Sequence, residues 1–266
     1  MHASMRASSG SLLLTVALIL PIPMHAQTPD AALFGRLRFR TVGPDGNRTA
    51  GVAAEPGNPM VGYVGAASGG IFRTLDGGLY WEPVFDDAPV SSVNALAVAP
   101  SAPNVVWAGT GETYIIREAL SIGDGVWKST DRGERWAHMG LEKTGRISEI
   151  EIDPNDPDVV YACALGSGFE PQQERGVFKT VDGGESWERV LFLDENTGCS
   201  DLAMDPGDPQ TLFAGMWQLS IKVWNLNSGG PGSGVFVTHD GGKTWERVRG
   251  GLPTHPVGKV SVDVAA

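Results

Sequence analysis

The sequence has few cysteines, an excess of acidic residues and no long hydrophobic run. Only two of its 266 residues are cysteine, too few for a disulfide framework. The formal net charge of −11 argues against nucleic acid and anionic membranes as partners, because such a surface repels phosphate. The main apolar stretch, Leu12 to Leu20, is less than half of the ~20 residues that a membrane-spanning helix needs.

That apolar stretch instead has the pattern of an export signal. Arg6 precedes it, and Pro21, Pro23 and the small residue Ala26 follow it. A basic start, a short apolar segment and a small-residue cleavage site are typical of a secretory signal peptide. We therefore expect residues 1–26 to be a signal peptide. The mature chain, 27–266, is expected to be secreted or periplasmic, without a membrane span.

The two cysteines, Cys163 and Cys199, both lie in apolar, strand-like segments. Export would permit a disulfide between them, and the sequence leaves that pairing open. Two buried, unreactive thiols are the preferred interpretation.

Glycine and tryptophan are abundant, with 36 glycines, 18 prolines and eight tryptophans. The 41% of hydrophobic residues is enough to form a core. Short strands joined by Gly and Pro turns fit this composition better than long helices or a disordered chain.

One short pattern occurs four times, in segments that begin at Phe72, Trp127, Phe178 and Phe236. Each reads aromatic, x, Ser/Thr, x, Asp, x, Gly, x, x, Trp. The repeated Asp, Gly and Trp positions are Asp76, Gly78, Trp81, Asp131, Gly133, Trp136, Asp182, Gly184, Trp187, Asp240, Gly242 and Trp245. Since Asp accepts backbone hydrogen bonds in turns and Gly adopts positive φ, a structural role explains these residues better than catalysis.

Two apolar runs joined by a Pro-x-x-Pro turn precede each pattern, as in IEIDPNDPDVVYACA. Each repeat therefore contains four strands, which is the composition of a β-propeller blade. A stacked β-solenoid is the alternative, although its repeats are usually shorter. We expect an all-β propeller with blades at about 47–89, 90–145, 146–198 and 199–258. The first strand of a fifth blade is expected at 259–266.

The pattern Ser/Thr-x-Asp-x-Gly-x-x-Trp resembles the Asp-box, or BNR repeat, of sialidases, xyloglucan-active glycoside hydrolases and the sortilin N-terminal propeller. The whole mature chain resembles large secreted bacterial propellers of the sortilin type, in stretches such as SGGIFRTLDGG and ERGVFKTVDGGESWERVLF. Such proteins are often labelled glycosyl hydrolases, and the resemblance implies many more than four blades. The chain is therefore expected to be an N-terminal fragment, with closure of four blades as the alternative.

Binding residues are expected in the connections between the second and third strands of each blade, which differ greatly in length. Insertions on one face of a repeat array commonly mark its binding face. The candidate ligand-binding residues are Glu112, Tyr114, Arg117, Asp124, Glu174, Arg175, Trp217 and Trp224. Their aromatic, acidic and basic groups suit a sugar or a peptide equally well.

A glycosidase needs two carboxylates about 5–9.5 Å apart across the scissile bond. The acids available in these connections are Glu112, Glu118, Asp124, Glu170 and Glu174. Resemblance to the xyloglucan-active enzymes implies a catalytic Asp in the first blade, but the corresponding stretch, Gly65 to Gly70, contains no acid. The Phe/Tyr-Arg-Ile-Pro start of sialidases is also missing. No catalytic residue is assigned, and whether the chain is an enzyme stays open.

No motif indicates a metal or a cofactor. His138, His239 and His255 are scattered, and DPNDPD lacks the Gly of an EF-hand loop. The leading expectation is a non-catalytic, secreted scaffold that binds a protein or peptide. A carbohydrate-active glycoside hydrolase of the BNR type, acting on a polysaccharide, is the alternative. An envelope assembly factor is a third possibility.

Overall fold

The computed structural model of the protein describes residues 43–44, 48–113, 121–253 and 256–265. All of them belong to one unit, Thr41–Ala266. The expected signal peptide lies outside the described residues, as do Tyr114, Arg117 and Glu118. In the part of the chain that is described, no helix is long and apolar enough to cross a membrane.

The strands form four successive antiparallel sheets, each built in chain order. The first sheet contains β1–β4, which span Thr49–Ala54, Gly62–Ala66, Ile71–Thr74 and Glu82–Pro83. The second contains β5–β8, which span Val93–Val98, Val106–Thr110, Val126–Ser129 and Ala137–His138. The third contains β9–β12, which span Ile147–Ile152, Val160–Ala164, Gly176–Thr180 and Glu188–Leu191.

The fourth sheet has one more strand than the others. Its members β13–β17 span Thr197–Asp205, Asp208–Lys222, Asn225–Ser228, Gly234–Thr238 and Glu246–Arg247. β13, β14, β16 and β17 are its four blade strands, and β15 pairs only with the far end of β14. A single 3₁₀ turn, Glu142–Thr144, connects the second and third sheets. The predicted all-β propeller with four repeated blades is confirmed.

Apolar side chains from neighbouring sheets form the core between them. Trp107 of the second sheet and Val160 of the third are fully buried in one such layer, together with Ile147 and Ile150. The strands that lie first in their sheets, β1, β5, β9 and β13, are next to one another. The alternating apolar residues of the sequence therefore face the adjoining blades.

Side chains at equivalent positions of the first strands tie each blade to the next. Asn94 Nδ2 donates to the carbonyl of Ser148, and Ser148 Oγ donates to the carbonyl of Cys199. Ser200 Oγ donates to the carbonyl of Val260 in the same way, at 2.7 Å. The segment 256–265 thus lies against β13 where the first strand of a fifth blade is expected, although its described residues pair in no ladder.

A second set of contacts joins the outer parts of the blades. Arg73 Nη1 donates to the carbonyl of Arg132, which follows the Asp of the next Asp-box. Lys128 Nζ donates to Gly183 O at 3.0 Å, and Lys179 Nζ donates to Gly241 O at 2.8 Å. The basic residue next to the end of the third strand therefore binds the following blade in each of the first three sheets.

Cys163 and Cys199 form a disulfide, with their Cα atoms 5.1 Å apart. The preference for two free, buried thiols is therefore wrong. The cysteines belong to β10 and β13, strands of different blades, so that only the packing of one blade on the next brings them together. Both cysteine side chains are buried, as expected.

Candidate functional site

The four Asp-box turns are closed by hydrogen bonds of the same kind. In the third turn, Asp182 Oδ1 accepts from Thr180 Oγ1 and from the Ser186 amide, while the Gly184 amide donates to Thr180 Oγ1. The hydrogen bond from the Ser186 hydroxyl is the main reason why the pKa of Asp182 lies well below its usual range. These carboxylates are therefore occupied by their own turns.

We use the name b–c face for the connections between the second and third strands of each blade, residues 67–70, 111–125, 165–175 and 219–233. In the fourth blade this connection is a hairpin, because β14 continues beyond the blade and pairs with β15. The Ile221 amide donates to Gly168 O at 2.7 Å, which holds the hairpin against the connection of the third blade.

Three of the predicted ligand-binding residues are buried beneath the b–c face. Glu112 is 2% exposed and forms an ion pair with Arg48. Arg175 donates to the carbonyls of Asn196 and Glu170, and burial lowers its pKa to about 10. Trp217 is also buried, and its Nε1 donates to Ser228 Oγ. All three side chains support the connections from within.

Asp124 and Glu174 are both half-buried. Asp124 Oδ1 accepts from Trp127 Nε1 at 2.9 Å and from Thr110 Oγ1 at 3.2 Å, so this carboxylate holds its own connection in place. Trp224 differs from the rest, because it is 84% exposed at the tip of the β14–β15 hairpin. The ligand-binding role of all these residues stays a prediction.

Exposed apolar residues that the sequence analysis missed accompany Trp224 on the b–c face. Val223 lies beside it, Phe169 is partly exposed in the third blade, and Ile122 is exposed in the second. Single apolar residues in polar insertions gave no periodic signal that would have identified them. They give the described part of the face several apolar contact points.

The connection of the first blade is a tight turn without a carboxylate. The amides of Gly69 and Gly70 both donate to Ser91 O, and the Ala67 amide donates to Arg48 O. No acidic side chain stands between Gly65 and Gly70, as the sequence already indicated.

A polar cavity of about 270 Å³ lies where the first strands meet, and the sequence analysis did not predict it. We call it the inner-strand cavity. The residues that line it include Asn94, Ser148, Glu149, Ser200, Asp201 and Lys259. These positions come from β5, β9, β13 and the segment after the fourth blade, which are distant in sequence.

The ionisable groups in and beside the inner-strand cavity have shifted pKa values. Burial raises the pKa of Glu149 to about 7, with a smaller contribution from the charge of Asp201. Burial likewise raises the pKa of Glu151 to about 8, and the neighbouring Glu149 adds to that shift. Burial lowers the pKa of Lys259, which Asp201 partly offsets. Among the described residues, no group of three or more His, Cys, Asp or Glu side chains is placed to hold a metal.

Comparisons with known proteins identify relatives of the same architecture. A family model described as sortilin, neurotensin receptor 3, matches residues 124–254. A xyloglucanase of Paenibacillus sp is 26% identical over 73% of this chain and 21% of its own length. Xyloglucanase Xgh74A of Acetivibrio thermocellus is 26% identical over 73% of this chain and 25% of its own length. The chain thus spans about a quarter of the length of these relatives.

A solved structure supports the same fold. An ancestral GH74 enzyme superimposes with a TM-score of 0.61 at 22% identity, covering 78% of this chain and 26% of that one. The resemblance to BNR/Asp-box β-propeller proteins, including those of the sortilin type, is confirmed.

The leading functional expectation needs correction. A non-catalytic scaffold for a protein or peptide is not the interpretation that the relatives described above favour, because they are named xyloglucanases. The carbohydrate-active alternative fits them better. The expectation rested on resemblance to the sortilin type and on the absence of the sequence motifs of two hydrolase families, and neither of these excludes a carbohydrate-active protein.

Proposed function

We propose that this chain is part of a carbohydrate-active β-propeller protein of the glycoside hydrolase type, which binds xyloglucan or a related polysaccharide. The observation that carries the proposal is the match to proteins named xyloglucanases over 73% of the chain. We include in the proposal that residues 1–26, which have the pattern of a signal peptide, direct export, since a polysaccharide is too large to enter a cell intact.

The b–c face is the proposed polysaccharide-binding surface. Trp224 presents an exposed indole ring, and Phe169 presents a second, partly exposed ring on the neighbouring blade. Flat aromatic rings bury the apolar faces of sugar units, while polar side chains around them bind hydroxyl groups. Glu170 is exposed and Glu174 is half-buried in the same connection as Phe169, and both can accept hydrogen bonds from a sugar.

Hydrolysis would require two carboxylates on this face, one as acid and the other as base or nucleophile. Glu112 and Asp124 already bind protein groups, so neither is a suitable first choice. Glu170 and Glu174 are the remaining acids on the described part of the face. We therefore propose these two residues as the first to test for cleavage.

Binding is tested with the full chain and soluble xyloglucan, by affinity electrophoresis and calorimetry. Trp224→Ala should weaken binding by roughly tenfold, the equivalent of about 1.4 kcal/mol for one stacked ring. Tyr80→Ala is the matched control, because Tyr80 is a similarly exposed aromatic residue in the first Asp-box turn, away from the b–c face. Absence of binding, or equal losses in both variants, would contradict the proposed surface.

Cleavage is tested by the release of reducing ends from the same polysaccharide. Glu170→Gln and Glu174→Gln should lower the rate at least 100-fold if these groups transfer protons. Glu188→Gln, which removes an exposed acid from β12, should leave the rate unchanged. An unchanged rate in both test variants would refute the assignment of these acids.

A further inference from the structure

A short loop of the third blade carries two of the residues proposed above for polysaccharide binding. Residues 166–170, which we call the platform loop, follow β10 and include Phe169 and Glu170. The loop forms neither helix nor strand, so its carbonyl oxygens have no partners from regular secondary structure. The groups that bind these oxygens therefore determine the shape of the loop.

Two buried arginines hold three carbonyl oxygens of the platform loop from beneath. Arg146 Nη1 donates to the carbonyl of Gly166 at 3.3 Å. Arg175 Nη2 donates to the carbonyls of both Ser167 and Glu170. Both arginine side chains are buried in the protein. A guanidinium is planar and presents its donors in fixed directions, so these contacts hold the loop backbone in one shape.

The hairpin of the fourth blade holds the other two carbonyl oxygens of the platform loop. The Ile221 amide donates to Gly168 O at 2.7 Å, and Lys222 Nζ lies 3.5 Å from Phe169 O. The packing is also close, since a Cβ added at Gly168 would lie 2.7 Å from Cδ1 of Ile221. Each of the five carbonyl oxygens of the loop thus has a donor from outside it.

The two arginines beneath the platform loop have no carboxylate partners. Among the described residues, no Asp or Glu oxygen lies within 4 Å of the guanidinium of Arg146 or Arg175. A buried charge without a counter-ion is unfavourable for folding. Stability alone is therefore a poor explanation for arginine at both positions, whereas a role in fixing the loop explains which atoms they bind.

One of the arginines also lies close to the aromatic ring of the loop. The guanidinium carbon of Arg146 is 5.9 Å from the centre of the Phe169 ring. We propose that Arg146 and Arg175 are positioning residues, which hold the platform loop in the shape that binds a sugar unit. The Phe169 ring and the Glu170 carboxylate are then in place before the polysaccharide arrives. A site already fixed in its bound shape loses less conformational entropy on binding. This inference rests on the proposed function of the b–c face.

A double-mutant cycle on the full chain tests whether Arg175 acts through Phe169. Phe169→Ala and Arg175→Met should each weaken the binding of soluble xyloglucan by roughly tenfold in calorimetry. The double variant should also lose only about tenfold, because a ring that is no longer positioned contributes little to binding. Arg146→Met should behave like Arg175→Met in the same cycle. Losses that multiply to about 100-fold, or an unchanged affinity in both arginine variants, would overturn the positioning role.

Gly168→Ala tests the shape of the loop without removing an arginine, and covers the case in which the arginine variants do not fold. The added Cβ should push the loop away from Ile221 and weaken xyloglucan binding severalfold, although every hydrogen-bonding group is kept. Gly62→Ala is the matched control, because neither glycine has a left-handed φ and the Cβ added at Gly62 meets its nearest atoms at 3.6 Å. This control should bind like the original chain. Equal affinities in the two variants would contradict the inference.

The original chain and Trp224→Ala separate this inference from the proposed function. If the original chain does not bind xyloglucan, both are overturned. If Trp224→Ala weakens binding while Arg175→Met and Gly168→Ala leave it unchanged, the b–c face remains the binding surface and only the positioning role is overturned.

Discussion

Lys179 Nζ donates a 2.8 Å hydrogen bond to the carbonyl oxygen of Gly241, a residue of the next blade's Asp-box turn. The same ammonium lies 5.0 Å from the centre of the Tyr161 ring, whose hydroxyl donates to the same carbonyl. One backbone oxygen thus receives two side chains from the preceding blade. Asp240 fixes the turn that presents this oxygen, so this Asp-box has a role in blade-to-blade packing as well as in its own hairpin.

Removal of the Lys179 ammonium should weaken this packing. Lys179→Met keeps most of the side-chain length but loses the charged hydrogen bond, which should cost about 1–2 kcal/mol in the free energy of unfolding. Denaturant unfolding followed by tryptophan fluorescence measures the change. Lys243→Met is the control, because Lys243 is exposed in the fourth Asp-box turn and should change stability by less than about 0.5 kcal/mol. Equal effects of the two substitutions would show that the contact to Gly241 is unimportant.

The disulfide should be the strongest single link between the third and fourth blades. Cys163 and Cys199 are separated by 36 residues, and closing a loop of that length stabilises the fold by about 4 kcal/mol in the chain-entropy model. The Cys163→Ala/Cys199→Ala double variant should lose about that amount in denaturant unfolding. Reduction with dithiothreitol should destabilise the original chain to a similar degree and leave the double variant unchanged. A double variant as stable as the original would contradict this role.

The sequence predicted the blades well because the Asp-box is a local structure. Asp182 and Gly184 both bind Thr180 within a single turn, so the spacing of these three residues indicates the hairpin without knowledge of any other strand. The strand order followed from the alternation of apolar runs with Pro and Gly turns. Both signals depend only on neighbours in the chain.

The candidate site was less predictable because its residues meet only through packing between blades. Arg48 and Glu112 form an ion pair across 64 residues, and no local pattern shows that this acid is buried. The polarity of Arg175 suggested exposure for the same reason, although backbone carbonyls of two loops hold it inside. Glu149 and Asp201 are 52 residues apart in the sequence, so the inner-strand cavity has no sequence motif of its own.

Gly184 should be irreplaceable within its Asp-box. It has a φ of +98°, and a Cβ added there would lie 2.6 Å from Cη2 of the buried Trp107. Gly184→Ala should therefore combine backbone strain with a clash in the core and lose about 3 kcal/mol of stability.

Gly57→Ala is a matched control, since Gly57 also has a positive φ, +76°, but its added Cβ meets nothing within 4 Å. That control should lose only about 1 kcal/mol, from backbone strain alone. Similar losses in the two variants would argue against close packing at Trp107.

The Asp-box carboxylates should make the fold sensitive to strong acid. A hydrogen bond from the Thr244 hydroxyl is the main cause that lowers the pKa of Asp240 from 3.8 to about 2. A group whose pKa is lower in the folded state stabilises the fold above its unfolded pKa, and this contribution is lost as protons bind. We therefore expect stability to fall between about pH 4 and pH 2.

Thermal unfolding across this range should show a smaller decrease in Tm for Asp240→Asn than for the original chain. The variant is already less stable at neutral pH because it lacks the charge. Asp87→Asn, at an exposed position before β5, should follow the profile of the original chain. If Tm fell with pH as steeply for Asp240→Asn as for the original chain, this turn would not contribute to the acid sensitivity of the fold.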